Sequence, residues 1–345
     1  MPSHFAHLLH AEDSTERAFG RLAALPEPLQ PFLVLGAQGP DLFYHNRRRK
    51  PSALLYGGMS HRKNYGKVVA GLVESALEHD TPLRSPVGAF TTGYLCHAVL
   101  DRKLHPYINY KSDLPDDRMF PRAHAFFERI IDMLLLERMR STRPASIDFR
   151  ALVDCGGELP AGIEAALTRG LEHGFDRASG DDELSQRLRN AYLDALGFYG
   201  YTNKVDAAAI RRAIDYAESE RHERALVALM HPPRLPEGYD FANESHSRWC
   251  HPCDEREVHT ESVYDLYEDA VRRAARLLHG LEAAWAGRIP LFDSDATAAE
   301  PSLEALVGNH NLSDERYVPC PRSCADPFPL RAIVDRIRAE YGPQT

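Results

Sequence analysis

Seven imidazole and carboxylate side chains recur between positions 41 and 128 at intervals that suit metal ions. They are Asp41 in GAQGPDLFYH, His61 in GGMSHRKNYG, His97, Asp101 and His105 in GYLCHAVLDRKLHPYIN, and His124 and Glu128 in RAHAFFERIID. Nitrogen and oxygen donors of this kind hold zinc, and equally iron, nickel or manganese. Clustered ions can lower the pKa of water toward neutrality and neutralise phosphoryl oxygens, which suits phosphoester hydrolysis. Iron in the same ligands would open redox chemistry instead.

The elements that must carry these groups are helices. His97, Asp101 and His105 stand at i, i+4 and i+8, so on a helix they drift only about 40° per step and share one face. His124 and Glu128 repeat the i, i+4 interval on a second helix. Phe90, Gly93, Tyr94 and Ala98 fall beside the first three on a helical projection, whereas Arg102 and Lys103 point elsewhere. The ligand face therefore looks inward, where charged groups are tolerated when paired or bound to a metal. Pro106 disfavours α geometry at His105 and places that residue at or near a helix end. Any one of the seventeen histidines is more often an ordinary core or surface residue. The argument rests on recurrence along consecutive helical stretches, against the alternative of a buried histidine and carboxylate network.

In this order and spacing the chain resembles the bacterial zinc-dependent phospholipase C family, which is related to the S1/P1 nucleases. The segment GYLCHAVLDRKLHPYIN carries the resemblance most clearly. A weaker echo is NESHSRWCHP followed by ESVYDLYEDA, similar to a Trp, Pro and Glu-Ser patterned segment of several members. The resemblance covers about residues 1 to 130, with the echo at 243 to 270. It implies a mostly helical domain with three zinc ions in one cleft. One zinc would be held by Asp41, His61, His97 and Asp101, and a second by His105, His124 and Glu128. Asp101 would bridge to a third zinc held at the beginning of the chain, where secreted relatives use the amine and carbonyl of an N-terminal Trp and a nearby His. This chain begins MPSHFAHLLHAE, with no apolar leader and no Trp there, so Pro2, exposed by excision of Met1, and His7 are expected to complete that site, with His4 and His10 as competitors. The resemblance further implies hydrolysis of phosphoesters, with Asp41 as ligand and general base.

Composition points to a globular protein, expected in the cytoplasm. The 345 residues are 43% hydrophobic, enough for a sizeable core, and no apolar run approaches the length of a membrane span. A net charge of −9 argues against broad nucleic-acid binding as the main role. The basic run Arg47, Arg48, Arg49 and Lys50 would either steer an anionic substrate or be a solvated loop. Apolar periodicity predicts helices over 64–78, 87–105, 121–139, 160–173, 184–198, 206–219 and 260–286, separated by Pro- and Gly-marked loops. The expectation is an all-α fold, a multi-helix phospholipase C/P1 nuclease-like domain over 1–290 with a C-terminal extension over 291–345.

Cys250 and Cys253 form C-x2-C, and Cys320 and Cys324 form C-x3-C, a set that offers four thiolates to a structural zinc. Unligated cysteines are the alternative, and a reducing cytosol disfavours disulfides. Cys96 and Cys155 read as isolated thiols. Phe43, Tyr44, Tyr56, Tyr65, Tyr94 and Tyr107 would line a head-group or base pocket or belong to the core, and Trp249 would join the two halves of the chain or touch substrate. Three functions stand open. The first is a phosphoesterase acting on a phospholipid head group or a soluble phosphodiester. The second is a nuclease or nucleotide phosphatase with the same metals, and the third a non-hydrolytic metal-binding protein.

Overall fold

The computed structural model describes residues 4–20, 29–112, 123–203, 208, 211, 225–293, 300–316 and 322–341. Helices dominate: α1 (His4–Phe19), α2 (Gln30–Ala37), α3 (Asp41–Tyr44), α4 (Leu54–Arg62), α5 (Tyr65–Glu78), α6 (Pro86–Ser112), α7 (Ala123–Arg140), α8 (Phe149–Val153), α9 (Ala161–Gly174), α10 (Asp176–Ser179) and α11 (Leu184–Thr202). Shorter and longer helices follow at Ala225–Ala228, Val263–Trp285, Leu303–Val307 and Leu330–Tyr341. Strands β1 (Trp249–His251) and β2 (Asp254–His259) pair as an antiparallel hairpin. The all-α expectation holds, and the observed helices follow the apolar periodicity to within a few residues at most ends. The expected helix at 206–219 lies mostly outside the described residues. No helix among the described residues is long and apolar enough to cross a membrane.

Helix α6 is the axis of the fold. It is buried on nearly every side, with Phe90, Tyr94, Leu95, Ala98, Leu100 and Tyr107 all inside, as expected of a helix without a dominant polar face. Helices α1, α2 and α7 and the Val263–Trp285 helix pack around it. The α2 contact is close because both partners present glycine. A Cβ on Gly93 would lie 2.2 Å from the Leu33 carbonyl oxygen, and one on Gly36 would lie 2.0 Å from that of Phe90. Just beyond α2, Gly39 takes φ of +54° and its missing Cβ makes room for the His97 ring, which a side chain would meet at 2.4 Å. This approach carries Asp41, at the start of α3, onto the ligand face of α6.

One expectation about α6 needs correction. The helix does not end at His105; it runs through Pro106 to Ser112. Proline removes only one backbone bond and strains one turn, and burial of Tyr107, Ile108 and Asn109 beyond it offsets that cost. Arg102 points away from the ligand face, as expected, and into the protein. Its side chain is 2% exposed and donates to the carbonyl oxygens of Val307 (2.5 Å), Gly308 (3.1 Å) and His310 (3.0 Å), fixing that segment against α6. Lys103 does face outward, to Asp269.

The Val263–Trp285 helix closes the other side of α6. Its start is secured by a capping box in which the Ser262 hydroxyl accepts from the Asp265 N–H while the Asp265 carboxylate accepts from the Ser262 N–H. The hairpin before it holds Trp249, whose ring stacks on His259 and meets Tyr107 edge-on, with Nε1–H donating to the Glu261 carbonyl. Trp249 thus joins the hairpin to α6. A four-thiolate site at Cys250, Cys253, Cys320 and Cys324 is not what the structure shows. Cys250 and Cys324 are joined by a disulfide, Cys253 is also disulfide-bonded, and Cys320 lies outside the described residues. The reason is local: Ser323 N–H donates to the Pro252 carbonyl, which brings the chain at 324 beside the hairpin with a Cα separation of 6.4 Å, within bridging range. Cys96 and Cys155 are free thiols, the first buried.

Candidate metal centre

Four helices deliver the proposed ligands to one place. Helix α6 brings His97, Asp101 and His105, α7 brings His124 and Glu128, α4 brings His61 near its C-terminal end, and α3 starts with Asp41. Helix α1 adds His7, which was expected only by way of the resemblance. The donors gather into three groups: His7 with His97 and Asp101, Asp41 with His61 and His97, and His105 with His124 and Glu128. The Pro2 half of the expected third site lies outside the described residues. Of the other two histidines considered there, His4 stacks on Phe149 and His10 packs against Tyr267, and neither belongs to a group.

Asp101 is the hinge of the arrangement. Its Oδ1 lies 3.2 Å from His7 Nε2, while Oδ2 lies 3.2 Å from His97 Nε2 and 3.8 Å from both His61 Nε2 and His105 Nδ1. Asp41 meets His61 Nε2 at 3.0 Å through Oδ1 and His97 Nε2 at 3.5 Å through Oδ2. Glu128 Oε1 lies 3.2 Å from His105 Nε2 and 3.0 Å from His124 Nε2.

The histidines are oriented as metal ligands are. His61 Nδ1–H donates to the Gly57 carbonyl at 2.8 Å, His97 Nδ1–H to the Ala37 carbonyl at 3.0 Å, and His105 Nδ1–H to the Leu312 carbonyl at 2.8 Å. Each bond places a proton on Nδ1 and turns Nε2 inward toward the carboxylates, the usual outer support of a ligating imidazole. At the centre, Asp41 Oδ2, Asp101 Oδ2 and His97 Nε2 are buried, close together and without a hydrogen bond. A protein-only network would satisfy such atoms. Cations among them would do so directly, and the donor set fits zinc in type and number.

The electrostatics agree. Burial opposes ionisation of Asp101, yet the His105 and His97 rings hold it well below the usual carboxylate range. Burial likewise works against Asp41, and His97 and His61 outweigh it. His105 is pushed up to about 9 because Asp101 and Glu128 overcome the cost of burying its cation. His97 is raised against burial by Asp101 and Asp41. His7 and His124 go the other way, lowered chiefly by burial. Three buried carboxylates thus demand positive charge, which protons on imidazole supply here and which divalent cations would supply better.

Two of the ligands reach the surface in part. His97 and Asp101 are closed off, but the His61 side chain is 12% exposed and that of His124 is 33% exposed. The Tyr44 ring lies 4.9 Å from that of His61, beside the candidate ligands. The other aromatic candidates are engaged elsewhere. Tyr65 stacks on Tyr94 and donates to its carbonyl, Tyr56 donates to Asp181, and Phe43 and Tyr107 are core. The basic run is divided in role: Arg49 pairs with Asp194 at 2.6 Å, and the same carboxylate accepts the Arg48 and Arg49 N–H groups, so part of the run builds a turn. Comparison with family models, with curated proteins and with solved structures gives no match.

Sequence reasoning missed the supports. The carbonyls of Ala37, Gly57 and Leu312 have no side-chain signature. Asp132 had one, since it extends His124 and Glu128 by a further four residues on α7.

Proposed function

We propose that this protein is a metal-dependent hydrolase of phosphoesters, with zinc in the three ligand groups and a phospholipase C/P1 nuclease-like arrangement of helices. The observation that carries this reading is the convergence of inward-turned histidine Nε2 atoms on buried carboxylates, with His97 Nε2, Asp41 Oδ2 and Asp101 Oδ2 left without a hydrogen bond at its centre. When bound, such ions supply Lewis acidity toward phosphoryl oxygens and make water nucleophilic at neutral pH. His61, His97, His105 and His124 would hold them as neutral imidazoles, and Asp101 would join two groups through its separate oxygens. Asp41, held ionised beside His61, would accept the proton of a water as general base. Tyr44 beside His61 would flank the substrate.

The test is metal analysis of the untagged protein with a panel of phosphatidylcholine, bis-nitrophenyl phosphate and single-stranded DNA. Bound zinc and turnover of at least one phosphodiester are expected. Metal binding with no turnover across the panel would leave only a binding role, and absence of metal would remove the reading altogether.

A further inference from the structure

The structure holds a second buried polar cluster, at the start of α1. Its centre is Asp132, fully buried on α7 one turn beyond Glu128. Asp132 Oδ2 accepts the backbone N–H of His4 at 3.0 Å, and Oδ1 accepts that of Ala6 at 2.8 Å. These are first-turn amides of α1, which have no partner within their own helix. The carboxylate that satisfies them comes from 128 residues away. Among the described residues, two side chains also approach that carboxylate. His231 Nε2–H donates to Oδ2 at 2.8 Å, and Arg129 Nη1 lies 3.6 Å from it. Arg129 Nε–H also donates to the Leu229 carbonyl, so the loop carrying His231 is pinned to the same helix.

We infer that Asp132 is a positioning residue for the metal centre: by capping α1 from α7, it sets His7 against Asp101. The inference rests on the metal centre proposed above, and its argument is geometric. His7 lies one residue beyond Ala6, so the anchored amides and the ligand share one helical turn and move as a unit. Glu128 and Asp132 are separated by about 6 Å along α7, with both side chains on one face. One rigid helix therefore presents a ligand to the group at His105 and fixes the element that completes the group at His97. Ligand distances must hold to about ±0.2 Å. An isolated helix start, free to fray, would not hold His7 to that tolerance. The Asp132 cap supplies the restraint with a buried ionic acceptor, whose charge-assisted bonds to N–H groups are stronger than neutral ones.

Metal content and affinity of the full-length protein, measured by dialysis against zinc buffers, test this with Asp132→Asn, His231→Phe and His7→Ala beside the wild type. Asp132→Asn keeps the side-chain size but loses the charge and turns one acceptor into a donor facing N–H groups. It should lose one ion with roughly 10- to 100-fold weaker affinity, the magnitude usual for outer supports of metal ligands, and match His7→Ala while keeping the remaining ions. Amide exchange at His4 and Ala6 should quicken in the same variant. A purely stabilising cap would speed that exchange and lower the melting temperature with every ion held as in the wild type, and that result overturns the inference. Should Asp132→Asn fail to fold, His231→Phe decides: it leaves both amide bonds and removes one support, so the same ion should weaken, and unchanged binding overturns the proposal. Wild-type protein that binds its ions but hydrolyses no phosphoester sinks the proposed activity and leaves this inference standing. Wild-type protein that binds no ion overturns both.

Discussion

At the scale of single residues, the roles of Asp41 and His97 separate cleanly. Asp41→Asn keeps an oxygen near His61 and removes the proton acceptor, so phosphodiester turnover should fall by at least about 100-fold, the range of a lost general base, with most of the metal retained. His97→Ala removes the ring shared by two groups, so both metal content and turnover should collapse in parallel. Steady-state rates and metal analysis on the two variants distinguish base from ligand. If Asp41→Asn retained full turnover, Asp41 would be no more than a ligand. The candidate site was legible where its donors lie in side chains at helical intervals: His97, Asp101 and His105 on one face, His124 and Glu128 on the next. The partners of Arg102 were not legible, because its three carbonyl acceptors lie more than 200 residues downstream and leave no local trace.

At the scale of elements, the close approach of α2 and α6 places Asp41. Gly93→Ala would drive a methyl group into the Leu33 carbonyl, at a cost of about 1–3 kcal/mol of stability from overpacking. The separation of the helices should also weaken the group of Asp41, His61 and His97 before the group of His105. Denaturant unfolding combined with stepwise metal release checks both effects. Arg102→Ala strips the donors from three carbonyl oxygens, and a loss on the order of 3 kcal/mol is expected in the same unfolding measurement. A loss below 1 kcal/mol would show that water replaces the guanidinium there. Helix periodicity made most of these elements readable. Pro106 misled because a local preference was set against a helix buried all round, and burial won. The hairpin disulfide was missed because its pairing depends on the chain at Pro252 meeting the chain at Ser323, which spacing in sequence does not reveal.

At the scale of the whole molecule, the centre joins α1, α3, α4, α6 and α7, and the segment after the Leu303–Val307 helix leans on it through Leu312 and Arg102. Bound ions should therefore stabilise the entire fold: an ion present at 100 times its dissociation constant contributes about 2.7 kcal/mol. Chelation should lower the melting temperature and zinc should restore it. The effect should weaken as pH falls below about 9, where His105 takes up its proton, and fade further as the other ligand histidines protonate, because protons compete with cations for the same nitrogens. A chelator-insensitive melting curve at neutral pH would mean that the buried carboxylates are balanced by protons alone. The decisive measurement is hydrolysis of bis-nitrophenyl phosphate by the untagged protein before chelation, after it, and after zinc is returned. The account predicts turnover that is lost with the metal and recovered with it. Turnover indifferent to chelation, or zinc-loaded protein with none, would contradict it.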